Sequence, residues 1–155
     1  MPKIELRENK ILKLSNVLQR KIPQKELMQQ DKQISMMYNW IKAKGYNTMG
    51  PLIMYSKGVV EVDKDGTPMI DSYIMSQLKE DKIRLELPYK FENLIRRENC
   101  IMVRFVGSIE KLQFATNKIT LYSYENDIEL TGESYIILLE QKEKDIIADV
   151  FMPIK

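Results

Sequence analysis

The sequence contains no histidine and only one cysteine, Cys100, among its 155 residues. The absence of histidine excludes Ser-His-Asp and Cys-His nucleophile systems, general base catalysis by histidine and every histidine-ligated metal site. A single cysteine cannot form a disulfide within the chain or a zinc-binding cluster, which is typical of a reducing cytoplasm. Cys100 opens the apolar run Cys-Ile-Met-Val and is interpreted as a buried packing residue. The sequence therefore predicts neither a metal ion nor another cofactor.

The chain also lacks an excess of either charge. Its 24 basic residues are mixed with 22 acidic ones, for a net charge of +2. Such a balance gives no broad cationic field, so we expect no direct binding of nucleic acid by this chain. Neither a signal peptide nor an apolar run of about 18 residues is present, so no membrane is expected and a cytoplasmic location is predicted. A hydrophobic content of 44% indicates one globular domain over residues 1–155.

The first part of the chain is predicted to form a strand, a helix and two further strands. The strand covers residues 11–21, and Pro23-Gln24-Lys25-Glu26 opens a helix that ends at Gly45. Its apolar face is formed by residues at helical spacing: Leu27, Ile34, Met37, Tyr38 and Ile41. Residues 52–55 and 69–75 are expected to be the two strands that complete this half.

The second part of the chain predicts the same order of elements. A strand over residues 100–106 leads into a helix that Gly107-Ser108 opens, with Ser108 as its N-cap. After a turn at residues 127–132, strands are expected over residues 134–139 and 146–153.

The stretch between the two parts is interpreted separately. Residues 83–88 alternate like a short strand, and Arg96-Arg97-Glu98-Asn99 has the composition of a polar turn.

Together, the two patterns predict an α+β fold made of duplicated strand-helix-strand-strand halves. The halves cover residues 1–80 and 81–155, and their turn glycines, Gly50 and Gly132, occupy corresponding positions. Each half is expected to form an antiparallel sheet with one face covered by its helix. The two sheets would surround a central cleft, and such internal grooves are common sites for small ligands.

Four short motifs, in this order, carry a resemblance to a known family. They are Gly45-Tyr46 followed by Gly50-Pro51 and Tyr55, the strand–glycine–helix sequence of residues 103–112, Glu133-Ser134-Tyr135, and Phe151-Met152-Pro153-Ile154. The chain resembles the GyrI-like family of bacterial transcription activator effector-binding domains, which includes the ligand-binding domains of BmrR- and Rob-type regulators and is similar to the SOUL fold. The resemblance implies a stand-alone domain that binds a hydrophobic, cationic, drug-like molecule, as a multidrug sensor or a regulator's effector domain, and that does not contact an operator by itself.

The resemblance also implies roles for individual residues. Glu133 would lie at the floor of the pocket and attract a cation, and Tyr135 and Tyr55 would line the cleft as paired aromatics. Further ligand contacts are expected from a second set of residues: Pro51, Trp40, Met54, Phe105 and Phe151. The alternatives from the residues alone are an exposed glutamate at a strand start, core tyrosines, a plain turn at Pro51 and ordinary core packing for the others.

Two other functions remain open at this point. Some stand-alone members of the family hydrolyse cyclopropane-bearing genotoxins, and Glu133 would then activate water while Tyr55 or Tyr135 polarises the leaving group. Other members inhibit gyrase through an acidic surface, which a chain of net charge +2 lacks. A binding domain is favoured over an enzyme.

Overall fold

The computed structural model describes residues 2–23, 29–62 and 64–155. In chain order, its strands and α-helices are β1 (Lys3–Ile22), α1 (Gln30–Ala43), β2 (Ile53–Val62), β3 (Pro68–Gln77), β4 (Tyr89–Ser108), α2 (Gln113–Glu125), β5 (Ser134–Lys142) and β6 (Asp145–Pro153). The predicted α+β class with antiparallel strands is confirmed. Within these residues, neither helix is long and apolar enough to cross a membrane.

The chain divides into two compact units, named here by their position in the sequence. The central unit is Lys13–Ile95, and the terminal unit combines Arg96–Lys155 with the N-terminal stretch that ends at Leu12. In the central unit, β3 lies between β1 and β2, and both neighbours are antiparallel to it. In the terminal unit, β6 lies between β4 and β5 in the same way. In each unit, one strand therefore lies between two antiparallel neighbours: β3 in the central unit and β6 in the terminal unit.

Helix α1 packs its apolar stripe on one face of the central unit's strands. Met37 and Ile41, one turn apart, are buried against Leu18 and Ile74. The helix ends where the chain adopts a left-handed conformation at Gly45, whose φ is 79°. The amide of Tyr46 then donates to the carbonyl of Ile41 at 3.1 Å, which is the capping pattern that glycine permits. The predicted helix end is confirmed.

Helix α2 covers one face of the terminal unit's strands. A three-residue 3-10 turn, Ile109–Lys111, precedes it, with Ser108 at its N-cap position but without a capping side-chain hydrogen bond. The buried cluster under the helix is apolar throughout: Ile101, Val103, Phe105, Ala115, Ile119, Ile146, Ala148, Val150 and Met152. Because side chains alternate along a strand, this cluster takes every second residue of β4 and β6. The residues between them face the other way.

The two units also repeat local details that confirm the predicted duplication of halves. Asn16 and Asn99 both adopt positive φ, at 53° and 55°. Each carbonyl accepts a hydrogen bond from the segment that follows the unit's last strand, from Leu78 at 2.8 Å and from Ile154 at 3.2 Å. Gly50 and Gly132 likewise share positive φ, at 90° and 95°. The boundary predicted near residue 80 stays a prediction.

Several boundaries predicted from the sequence are wrong. Residues 83–88 do not form a strand: Ile83 packs against the cluster under α1, whereas Leu85 and Leu87 are 50% and 95% exposed. Arg96-Arg97-Glu98-Asn99 is not a turn but lies inside β4, which begins at Tyr89. Strand β1 begins at Lys3, well before the predicted start at residue 11. The predicted helix opening at Gln24-Lys25-Glu26 and the helix-face residue Leu27 lie outside the described residues.

Candidate functional site

In the terminal unit, the strand face turned away from α2 carries two aromatic side chains and a methionine in neighbouring positions, called the aromatic row below. Tyr135 on β5 is paired with Phe151 on β6, and Phe151 is paired with Met102 on β4. Tyr135 and Met102 are buried and Phe151 is half-buried, although none of the three belongs to the cluster under the helix. The neighbouring residues of β6, Val150 and Met152, do pack under the helix. Strand alternation thus separates an aromatic face from the helix-covered core.

Glu133 lies at the end of this aromatic face, directly before β5. Gly132, with φ of 95°, turns the chain there, and the amide of Glu133 donates to the Thr131 hydroxyl at 3.1 Å. Its carboxylate accepts hydrogen bonds from Arg97 at 3.3 and 3.5 Å and from the Tyr135 hydroxyl at 3.4 Å. The Glu133 side chain is only 20% exposed. The residue is therefore not the fully exposed strand-start glutamate of the alternative interpretation.

Arg97 is a component of the site that the sequence analysis missed. Its Nε and Nη2 donate to the two oxygens of Glu133, and its guanidinium lies 6.0 Å from the centre of the Tyr135 ring. Arg97 was assigned to a polar turn because its neighbours are all charged or polar. The apolar run that starts at Cys100 indicates a strand, and β4 continues that strand back through Arg97, but no local signal in the sequence indicates its pairing with Glu133.

A second arginine–carboxylate pair lies on the same face. Arg104 and Asp149 are opposite each other on β4 and β6, and two hydrogen bonds of 2.8 and 2.9 Å join the guanidinium to the carboxylate. Hydrogen bonding and the charge of Asp149 raise the pKa of Arg104 further above its usual range. Arg104 and Met102 also line a recess of about 270 Å³ with Glu5, Arg7 and Lys10. The sequence patterns do not indicate this pair.

Cys100 lies beside the first pair and is buried, as predicted. Its thiol donates to the carbonyl oxygen of Arg97 at 3.4 Å. Burial raises the pKa of the Cys100 thiol, and the nearby positive charge of Arg97 offsets only part of that effect. A thiol that is buried and protonated is a poor nucleophile, so the structure assigns Cys100 to packing rather than to reaction.

We expect native Cys100 to react with iodoacetamide roughly a hundredfold more slowly than in the urea-unfolded chain, because only rare local opening exposes it. The pH profile should differ as well. Since burial raises the pKa of the native thiol, its rate should still climb at pH values where the unfolded thiol is fully ionised. Alkylation followed by mass spectrometry measures both rates. Equal rates in the two states would contradict the burial of this residue.

The central unit carries its own aromatic pair on the strand face away from α1. Tyr55 on β2 is paired with Tyr73 on β3, both side chains are buried, and their ring centres are 5.7 Å apart. The Lys57 ammonium lies 5.6 Å from the centre of the Tyr73 ring. Tyr55 is therefore a buried strand tyrosine on the face away from its unit's helix, as Tyr135 is in the terminal unit.

Met54 and Trp40 lie in the central unit, and Phe105 lies in the terminal unit. Met54 is paired with Ile74, which belongs to the core under α1, so Met54 and Tyr55 lie on opposite strand faces. Trp40 packs on Tyr89 with ring centres 4.4 Å apart. Phe105 is fully buried in the cluster under α2.

Pro51 is half-buried in the segment before β2. The structure thus groups Glu133, Tyr135 and Phe151, in the terminal unit. Among the described residues, no three acidic or cysteine side chains are arranged to hold a metal ion.

Neither a protein-family model nor a curated protein sequence matches this chain, whereas solved structures do. The crystal structure of the EcmrR C-terminal domain superposes with a TM-score of 0.68 at 14% identity, over 100% of this chain and 98% of that one. An uncharacterised conserved protein from Listeria innocua gives a TM-score of 0.54 at 11% identity, over 99% and 92% of the two chains.

EcmrR has also been solved by cryo-electron microscopy in a complex with DNA. That structure superposes with a TM-score of 0.67 at 14% identity, over 99% of this chain, and this chain spans only 57% of the EcmrR chain in it. Identity at this level establishes the fold alone. The chain therefore has the fold of the EcmrR C-terminal domain, and the resemblance predicted from the sequence is confirmed at the level of the fold.

Proposed function

We propose that the terminal unit binds a small, largely apolar and cationic molecule on the face formed by Glu133, Tyr135 and Phe151. The observation that carries this proposal is the position of the Glu133 carboxylate, which is 20% exposed and lies beside a buried tyrosine on a strand face that α2 does not cover. The Glu133-Ser134-Tyr135 motif and the partial burial of the carboxylate both support Glu133 as the residue that attracts the cation. The proposed role is ligand binding, without a chemical step.

The physical basis is the cost of a partly buried negative charge. A carboxylate in an apolar setting is unfavourable unless a cation or hydrogen bonds compensate it. In the structure Arg97 and the Tyr135 hydroxyl compensate it, and an aromatic cation would take the place of Arg97 with its charge while its flat ring packs against Tyr135 and Phe151. Attraction between the cation and an aromatic ring contributes roughly 0.5–2 kcal/mol more. Met102, next to Phe151 in the same row, supplies an adaptable apolar surface for ligands of different shape.

The experiment is a fluorescence titration with rhodamine 6G, an aromatic cation. Glu133→Gln should weaken binding about tenfold, a loss of about 1.4 kcal/mol. The matched control is Glu98→Gln on β4, which removes the same charge from a side chain that is 69% exposed and should leave affinity unchanged. An equal loss of affinity in both variants would mean that the dye is attracted by net charge alone. An unchanged affinity in Glu133→Gln would contradict the proposal.

A separate incubation of the protein with a cyclopropane-bearing compound tests the hydrolase alternative. A cyclopropane-bearing substrate should be recovered intact, with its mass unchanged, because the proposed role of Glu133 is to compensate the charge of a ligand. Formation of a product of higher mass by one water, lost in Glu133→Gln, would instead support hydrolysis by the Glu133–Tyr135 pair.

The wider role proposed is that of an effector domain in transcription regulation, working in the cytoplasm. Support comes from the fold shared with the EcmrR C-terminal domain, since EcmrR itself has been solved bound to DNA. The mixed charges of this chain, with a net charge of +2, give no broad cationic field for binding DNA. We therefore propose that this chain binds the ligand and that other protein segments contact DNA. Tyr55, Pro51, Trp40, Met54 and Phe105 stay predictions as ligand contacts.

A further inference from the structure

The guanidinium of Arg97 occupies the place where a bound cation is expected. It touches both oxygens of Glu133, at 3.3 and 3.5 Å, and stands 6.0 Å from the centre of the Tyr135 ring. These are the two attractions, to a carboxylate and to a ring, that the proposed function assigns to the ligand's cation. Arg97 therefore satisfies Glu133 when no ligand is bound.

We propose that Arg97 is an internal competitor, a resident cation that an incoming cationic ligand must displace from Glu133. The inference rests on the proposed function and adds a determinant of specificity to it. A neutral ligand has no means of displacing the guanidinium. Only a molecule with a positive charge and an apolar body gains enough from both Glu133 and the aromatic row to replace it.

The geometry of the two arginine pairs on this face supports an exchangeable contact. Charge-assisted hydrogen bonds between arginine and carboxylate are usually about 2.7–2.9 Å long. Arg104 and Asp149 meet that standard at 2.8 and 2.9 Å, whereas both bonds from Arg97 to Glu133 are longer. The Arg104 pair is tight and the Arg97 pair is loose, so the Arg97 pair is the one that a ligand can open.

The position of Arg97 also gives its side chain a route away from the carboxylate. It is 37% exposed, and its Nη1 already donates to the carbonyl of Arg96 at 3.0 Å. The guanidinium therefore already reaches solvent and holds a second hydrogen bond on β4 while it contacts Glu133. Removing a buried ion's partner is costly when nothing replaces it, and here the ligand's charge replaces it.

The test compares Arg97→Gln with wild type in the rhodamine 6G titration. Removing the competitor should tighten binding of this cation about tenfold. The control is Arg96→Gln, the adjacent residue on β4, which loses the same charge from an exposed pair with Glu98 and should bind as wild type does. The neutral dye Nile red should bind Arg97→Gln and wild type within about twofold.

Two further variants separate the possible results. In a Glu133→Gln background, Arg97→Gln should change nothing, since the competition acts through Glu133. Arg97→Lys keeps the charge without the planar fork, so it should compete less well than arginine and bind rhodamine 6G more tightly than wild type; unchanged binding in this variant would count against the inference if Arg97→Gln fails to fold.

Unchanged or weaker rhodamine 6G binding in Arg97→Gln, with Glu133→Gln still defective, would overturn this inference and leave the proposed function standing. Tighter binding of Nile red by the same amount would also overturn it. If neither wild type nor any variant binds rhodamine 6G, the proposed function and the inference fail together.

Discussion

Replacing Phe105 by alanine should lower the free energy of unfolding by about 3–5 kcal/mol, as removal of a fully buried phenylalanine ring generally does. Phe105 has no exposed surface and packs under α2 with Ala115 and Ile119. The chain also packs closely at the tip of the ring: a Cβ built on Gly107 would stand 3.2 Å from it. Urea unfolding followed by circular dichroism measures the change.

The control for this experiment is Phe114→Ala on α2. The Phe114 side chain is 51% exposed, so its loss should change the free energy of unfolding by no more than about 0.5 kcal/mol. A drop of less than about 1.5 kcal/mol in Phe105→Ala, or similar drops in the two variants, would contradict the assignment of Phe105 to the core.

The sequence patterns predicted the elements whose apolar residues are closely spaced. The run at Cys100-Ile101-Met102-Val103 and the run over residues 146–153 both lie in strands, because each supplies buried residues to a packed face. The end of α1 was predictable because Gly45 has a physical role there that other residues fill poorly. The apolar runs and the helix-ending glycine are both local signals, and the structure contains the strands and the helix end that they predict.

The polar half of β4 was not predictable in the same way. Between Tyr89 and Asn99 the buried side chains are few, and the residues around them are charged, so the local pattern resembles a turn more than a strand. The converse failure is Ile83-Arg84-Leu85-Glu86-Leu87, which alternates but is not part of a strand. Alternation indicates a strand only where a partner and a core exist, and both are decided by distant parts of the chain.

The candidate site shows the same division. Glu133 and Tyr135 could be predicted because they lie two residues apart at a strand start in a motif shared with a family. Arg97 could not, because its relation to Glu133 depends on two strands far apart in the sequence lying close together. Arg97 changes the expectation for the site. Glu133, which is predicted to attract the cation of a ligand, already pairs with the guanidinium of Arg97.

Replacing Met37 by alanine should lower the free energy of unfolding by about 2–5 kcal/mol. Met37 has no exposed surface and lies in the cluster that joins α1 to Leu18 and Ile74. Helical spacing predicted this inner position, and the neighbouring Met36 tests it closely. One residue earlier on α1, Met36 points elsewhere and is 42% exposed, so Met36→Ala should cost no more than about 0.5 kcal/mol.

Trp40, the only tryptophan of the chain, gives a direct readout for this pair of variants. It lies one turn from Met36 and Met37 on α1, and its ring packs on Tyr89. Urea unfolding followed by its fluorescence should show a lower midpoint for Met37→Ala, with the same denaturant dependence as wild type. Equal midpoints for the two variants would mean that α1 presents a different face to the strands. Because both variants lose the same side chain from adjacent positions of one helix, the difference between them measures burial alone and cancels the change in helix propensity.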